Sequence, residues 1–315
     1  MNSNNIEELR EIIERKIIHY IDRDYVFLDM PYHPNVGDSL IALAGTSLLE
    51  NSGQRCLYRS SMFTFDDRDI PSSVLIVFNG GGNFGDLWKP YTTDFRNKII
   101  KRYPNNHFLI LPQSVYYKDS NNLKDDIQLF STCGNNMTIC ARDRASYMFL
   151  KDNFKENNIE LVPDLAFYTD KKFLIRKNPT GKILFLKRTD KELVDTPKYD
   201  VVPSNAEIRD WPTMEKYSEI YKKYYRIKRR IEKCWYPKYL LYLEDYLWQK
   251  IVLPYNRRNG ISFVNNYDTI YTTRLHVAIT AVLLGKEVYF FDNSYGKNSA
   301  LYNTWLTDFP NIKLL

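Results

Sequence analysis

The sequence predicts an α/β protein built as two Rossmann-like halves, each a parallel sheet with helices on its faces, meeting across a cleft. Three observations predict it. Continuous apolar runs of strand length alternate with helical patterns, as in sheets covered on both faces. Unusual polar clusters fall at the carboxyl ends of those runs, where doubly wound sheets bind ligands. The alternation then resumes after a basic, proline-containing stretch, KKFLIRKNPTG, starting near residue 171.

In chain order, residues 6–18 carry a helical apolar stripe (Ile6, Leu9, Ile12, Ile13, Ile17, Ile18), with Asn4 or Asn5 as its cap. YVFLDMP (25–31) reads as a strand, followed by HPNVGDSLIALAG, a loop entering a helix that ends near Gly53. CLYRSS (56–61) is a second strand, and SSVLIVFNGGGNFGD (72–86) a buried strand running into a glycine-rich turn. FRNKIIKRY is helical, HFLILPQSVYY (107–117) is a strand, MTICARDRASYMFLKDN a strand then a helix, and IELVPDLAFYT a strand and loop. The second half reads as strand 182–190, strand 260–273, helix 275–285 and strand 286–296. The halves are expected to be residues 1–172 and 173–315, the latter holding a basic, helical insertion at about 191–259. This is the architecture of GT-B folds.

The chain has 315 residues, 44% hydrophobic and 26% charged, a globular balance with room for two domains. An aromatic share of 15%, with 25 Tyr, suits sugar rings, whose C–H faces stack on aromatics. Tyr used as a generic half-buried residue accounts for it equally. Cys56, Cys133, Cys140 and Cys234 lack CxxC spacing and read as reduced thiols. The amino terminus lacks a signal-peptide core, and no run of about 18 apolar residues spans a membrane. A cytoplasmic protein is therefore expected.

Gly80, Gly82 and Gly85 match G-x-G-x-x-G after a strand. A dinucleotide site is disfavoured, because the turn is not on the first strand and the next strand ends in Gln113 and Ser114, not an acid. The glycines instead let backbone approach a ligand, with Asn83 and Asp86 pointing into the cleft, or else form a tight turn that needs positive φ. At Asn35-Val36-Gly37-Asp38 a helix begins, and Asp38 is either its N-cap or a hydroxyl acceptor. In YTTRLHVAITAVLLG a strand ends and a helix starts near Arg274, with Leu275 and then His276 in its first turn. A protonated His is disfavoured at a helix start, so its placement there suggests a role. Arg188 approaches from the neighbouring strand, and two arginines with a histidine describe an anion pocket.

NVGDSLI, FNGGGNFGDLW, LPQSVYY, CARDRASY, VPDLAF, LFLKRTD and TTRLHVAITAVLLGKEVYFFDNSYGKN, in this order, resemble the polysaccharide pyruvyltransferase family over most of 25–190 and 260–305. The resemblance implies a GT-B-like two-domain fold, phosphoenolpyruvate as donor substrate and a saccharide acceptor; no acidic cluster with Mg²⁺ geometry is evident, so no metal or other cofactor is expected. By it Arg274 and His276 match an Arg-x-His donor-binding motif and Arg188 the other donor arginine, with Lys187 as competitor. The acceptor is then expected near Asp38, Asn83 and Asp86, with Asn35, Gly82, Gln113, Ser114 and Leu275 contributing to the substrate site. His276 is the expected general acid and Asp38 or Asp86 the base.

YKKYYRIKRRIEKCWYPK (221–238) holds eight Lys/Arg against Glu232. A nucleic-acid patch, a solvated or dimer-forming helix, and a membrane-surface helix compete for it. Interleaved Tyr and Trp favour the anionic membrane surface, through residues 221–250, and a lipid-linked acceptor. Two rival functions stand beside pyruvyl transfer. One is a nucleotide-sugar glycosyltransferase, with Asp268 or Asp292 on the ribose; the other is a non-catalytic saccharide-binding protein.

Overall fold

The structure, a computed structural model, describes residues 3–188, 199–232 and 237–315. The first part contains α1 (Ser3–Ile17), β1 (Tyr25–Leu28), α2 (Val36–Glu50), β2 (Cys56–Arg59), β3 (Leu75–Phe78), β4 (Gly81–Gly85), α3 (Thr92–Arg102), β5 (His107–Tyr116), α4 (Ser120–Ser131), β6 (Met137–Ala141), α5 (Arg144–Asn153) and β7 (Asn158–Leu161). It forms a seven-stranded parallel sheet in the order β2-β1-β3-β5-β6-β7, with β4 beside the carboxyl end of β5. The second part contains β8 (Ile183–Leu186), β9 (Glu207–Arg209), α6 (Pro212–Glu232), α7 (Lys238–Leu247), α8 (Leu253–Val264), β10 (Thr269–Thr272), α9 (Leu275–Leu283), β11 (Glu287–Phe290), α10 (Lys297–Trp305) and β12 (Ile312–Leu314). Its five strands, also parallel, run β12-β11-β10-β8-β9.

In both sheets the winding direction reverses beside the first strand, between β1 and β3 and between β8 and β10. Such reversals splay the following loops apart and leave a crevice beyond the strand ends. Burial follows the two-residue period of strands. On β1, Tyr25 and Phe27 face one cluster and Val26 and Leu28 another. The first of these clusters continues through Leu40, Ile41 and Leu48 of α2 into Leu184, Ile270, Val277 and Phe290, so one apolar core joins both sheets.

Several expectations are corrected. The first helix already begins at Ser3, so Asn5 is inside it, and its amide donates to Asp308 O at 3.4 Å. Gly260–Val264 belongs to α8 rather than to a strand, which begins only at Thr269. Val36 of α2 packs so closely on Gly260 that a Cβ there would lie 2.2 Å from its Cγ1. The glycine-rich segment, expected as a turn, forms strand β4, since Gly81 and Phe84 pair with Gln113 and Val115. Sequence reading missed α4, β9, α10 and β12, which are short or mostly polar. Cys133 and Cys140 are buried and Cys56 is half-buried, all three free, whereas Cys234 and residues 189–190 lie outside the described residues. No helix among the described residues is long and apolar enough to cross a membrane.

The helical insertion leans on the first sheet. Tyr32 Oη and Thr64 Oγ1 donate to Asp245 of α7 at 2.7 and 2.6 Å. Gln249 bridges Tyr32 Oη and Arg59 O, and buried Lys228 of α6 pairs with Glu244. Burial pushes the Asp245 carboxyl up to about 6, against the two hydroxyl donors. A raised acid favours the fold when protonated, so this contribution is complete below about pH 4 and lost as pH rises through about 6. Asp245→Asn keeps the acceptor and removes the charge. Urea unfolding of this variant should show a flatter pH dependence between about pH 4 and 7, by about 1–3 kcal/mol.

Candidate functional site

The carboxyl ends of both sheets line a cavity of about 400 Å³, within the range of small-molecule sites. From the second sheet come Arg188, after β8, and Arg274, after β10. Paired threonines lock these loops together, Thr273 Oγ1 accepting Arg188 N and Thr272 Oγ1 accepting Arg274 N, both at 3.0 Å. Asp210, following β9, grips the Arg274 guanidinium through Nε at 2.5 Å and Nη2 at 2.7 Å. The ends of β9 and β10 thus fix one arginine head. Lys187, the competitor of Arg188, instead lays its Nζ over the Tyr199 ring at 4.7 Å and is absent from the cavity wall.

Arg274 is also the N-cap of α9, and its carbonyl accepts Val277 N and Ala278 N. Among the described residues the Leu275 and His276 amides have no acceptor, which leaves two N–H groups at a positive helix end. The His276 ring is held on both sides. Its Nδ1 abuts Gly37 so closely that a Cβ there would sit 2.3 Å away, and its Nε2 faces Asp164 Oδ2 at 3.4 Å.

Asp164 is fully buried. Burial works to raise its carboxyl, but His276 foremost, then Arg142 and the Ala166 amide, outweigh this and hold it well below the usual carboxylate range. Arg142 Nη1 bonds the same Oδ2 at 2.8 Å, and its Nε donates to Ser114 Oγ at 2.9 Å. Ser114 donates in turn to Asp143 at 2.6 Å. An unbroken polar chain, Asp143–Ser114–Arg142–Asp164–His276, therefore crosses from one sheet to the other.

The first sheet supplies the opposite wall. Asn35 is the N-cap of α2, its Oδ1 accepting Gly37 N at 3.0 Å, so the cap is not Asp38. Asp38 sits one turn in, bonded by Asn35 Nδ2 at 2.7 Å and near His33 Nε2 at 3.4 Å, and it lines the cavity. Gly82 and Asn83 line it as well. A Cβ on Gly82 would lie 3.0 Å from Arg142 Nη2, so glycine there admits the guanidinium, and Arg96 fixes Asn83 Oδ1 at 2.9 Å.

Three expected site residues lie elsewhere. Asp86 is outside the cavity, with its carboxylate accepting Lys118 N and Asp119 N at 2.9 and 2.8 Å ahead of α4. Gln113 is buried behind the glycine segment, donating to Asn79 O, and Ser114 serves Arg142. Arg142, Lys297 and the aromatic lining (Phe63, Trp88, Tyr91, Trp211, Tyr221) were not singled out as site residues from sequence. The Arg-Asp that ends the CARD strand was the available signal for Arg142. The described wall thus carries four Arg or Lys and one carboxylate, Asp38. Asp268 and Asp292 are absent from it. Asp268 takes the Thr180 and Gly181 amides at the far end of β10, and Asp292 takes those of Asn293 and Ser299.

Residues 35–295 match the family model described as polysaccharide pyruvyl transferase. Similar proteins include a putative pyruvyl transferase, EpsO, of Bacillus subtilis strain 168, 32% identical over 93% of this chain and 88% of that protein. Pyruvyl transferase 1 of Schizosaccharomyces pombe is 29% identical over 89% of this chain and 69% of its own length. The crystal structure of an uncharacterized Klebsiella pneumoniae protein shares the fold, with a TM-score of 0.64, 23% identity and 98% of both chains covered.

Gly37→Ala tests the packing at His276. A methyl group against Nδ1 should lower stability to urea by about 1–3 kcal/mol and shift the ring resonances of His276, one of four histidines. Unchanged resonances and stability would contradict the contact.

Proposed function

The chain belongs to the polysaccharide pyruvyl transferase family, and we propose that its cavity transfers the enolpyruvyl group of phosphoenolpyruvate onto a saccharide as a ketal. The observation that carries this reading is the concentration of Arg142, Arg188, Arg274, Lys297 and the α9 amino end around His276, with Asp38 the one carboxylate on the described wall. Phosphoenolpyruvate brings a phosphate and a carboxylate on one small carbon frame, and such a wall suits both.

In the proposed reaction two sugar hydroxyls add to C2 of the donor, and the C2–O bond to phosphate breaks. One hydroxyl proton ends on C3, turning the methylene into a methyl group, and the other leaves with phosphate. Arg188 and Arg274 stabilise the charge that gathers on the departing phosphate, Arg274 at a geometry set by Asp210. His276 is the general acid. Gly37 closes its Nδ1, so the proton is delivered through Nε2, whose 3.4 Å contact with Asp164 is long enough to share with a second acceptor. Asp38, on the facing wall, takes the hydroxyl proton, and Asp86, committed to two amides, is set aside.

We read residues 1–172 as the acceptor side and 173–315 as the donor side of a GT-B-like pair of domains. The acceptor then lies along Asn83 and the aromatic wall of Trp88 and Tyr91, where sugar faces stack. A lipid-linked exopolysaccharide or capsule precursor on the cytoplasmic side is the acceptor class proposed. The glycosyltransferase reading is the less favoured, because Asp268 and Asp292 are both spent on backbone amides. A purely saccharide-binding protein would have no use for a buried chain that positions one histidine.

Phosphate release from phosphoenolpyruvate with a mixed saccharide pool should fall by at least about 100-fold in Arg274→Ala, Arg188→Ala and His276→Ala. Lys187→Ala should retain it, and full activity in all three would remove the donor-site assignment. Trp88→Ala should raise KM for the saccharide with little change in that for phosphoenolpyruvate; the reverse pattern would place the acceptor elsewhere.

A further inference from the structure

Helix α7 carries its polarity inside out. Its acidic pair, Glu244 and Asp245, is buried against Lys228, Tyr225, Tyr32 and Thr64. Its exposed apolar and aromatic residues are Tyr239, Tyr242, Leu243, Tyr246 and Leu247, spaced as one helical stripe, and Ile251 extends that stripe by a turn. On α6, Ile220, Tyr224 and Ile227 are exposed at the same spacing. Ten of the eighteen exposed large hydrophobic residues fall between Ile220 and Tyr255. Scatter does not produce that density, and apolar residues concentrated on exposed helix stripes in this way mark a contact site.

The charge around the stripe selects the occupant. Lys222, Lys223, Arg226, Arg230, Lys238 and Lys250 are exposed; Glu219, paired with Lys222 at 2.7 Å, is the exposed carboxylate beside them, and from residue 220 to 258 the described side chains add none. Lys228 is buried, while Lys233 and the side chains of Arg229 and Glu232 lie outside the described residues. A second copy of the chain, docked through the same face, would bring these cations against their own kind. Tyrosines, leucines and isoleucines rimmed by Lys and Arg instead match a lipid surface, apolar below its headgroups and negative at them.

We propose that the α6–α7 face seats the protein on an anionic bilayer, with the stripe in the headgroup boundary and the basic residues on lipid phosphates. Tyr221 of α6, between Ile220 and Lys222, lines the cavity, so this seating brings the cavity mouth beside the headgroups. The proposal does not depend on the reaction assigned to the cavity, and its test uses neither donor nor acceptor.

The test is sedimentation of the full chain with vesicles of phosphatidylcholine alone or with phosphatidylglycerol at about one part in four. The protein should bind the anionic vesicles, and bind pure phosphatidylcholine about tenfold more weakly or less. Lys222→Glu/Lys223→Glu and Leu243→Glu/Ile251→Glu should each weaken anionic binding about tenfold or more while melting at the unmodified temperature. The lysine pair guards against a folding defect in the apolar pair. Equal binding by both variants, or no binding by the unmodified chain at low salt, would overturn the proposal. So would a concentration-dependent dimer, without vesicle binding, that Leu243→Glu/Ile251→Glu dissolves.

Discussion

The site depends on a buried carboxylate shared by a guanidinium and an imidazole. Asp164 stands at the end of the first sheet, and its Oδ2 meets Arg142 at 2.8 Å and His276 at 3.4 Å. A carboxylate out of water persists as a charge only where partners repay its desolvation, and one of these two partners belongs to the other sheet. The alignment of the sheets and the placement of the histidine are therefore one requirement. Gly37 enforces it from the other side, since any side chain there would occupy the volume of the imidazole. The common apolar core beneath supplies cohesion without direction, and the polar chain above it supplies the register.

The same logic reaches the insertion. Tyr32, which follows β1, and Thr64 spend their hydroxyls on Asp245, so α7 is tied to the first sheet while α6 leaves from β9 of the second. Thr213 at the start of α6 donates to Pro34 O, in the loop that carries Asn35 and leads to Asp38 in the first turn of α2. The helices that bear the exposed stripe are thereby coupled to both walls of the cavity. Turning the acids of α7 inward meets that structural need and leaves its apolar residues outside.

The strands and the grouping of Arg188, Arg274 and His276 at one cavity were legible because they follow from local rules. Apolar runs gave β1, β3, β5, β6 and β10, and an Arg-Leu-His segment at a strand-to-helix junction put Arg274 and His276 at a helix start. Asp86 misled because a strand-end acid beside glycines reads alike whether it faces a ligand or accepts backbone amides from a loop some 30 residues on. Asp38 was confused with the cap because Asn35, Gly37 and Asp38 all suit the first turn of a helix. The Asp164–His276 contact joins residues 112 positions apart, and the Arg274–Asp210 pair 64 apart; neither spacing has a local signature. The inverted polarity of α7 was invisible for a related reason, since a helical stripe in sequence does not say which side of the helix meets the protein.

The cationic wall at the two strand reversals is proposed as a phosphoenolpyruvate site. Calorimetric titration of phosphoenolpyruvate into the full chain tests it most directly. Saturable binding is predicted for the unmodified protein and for Asp86→Asn, and its loss for the Arg188→Ala/Arg274→Ala pair. Absence of phosphoenolpyruvate binding, with a nucleoside diphosphate bound in its stead, would contradict the account.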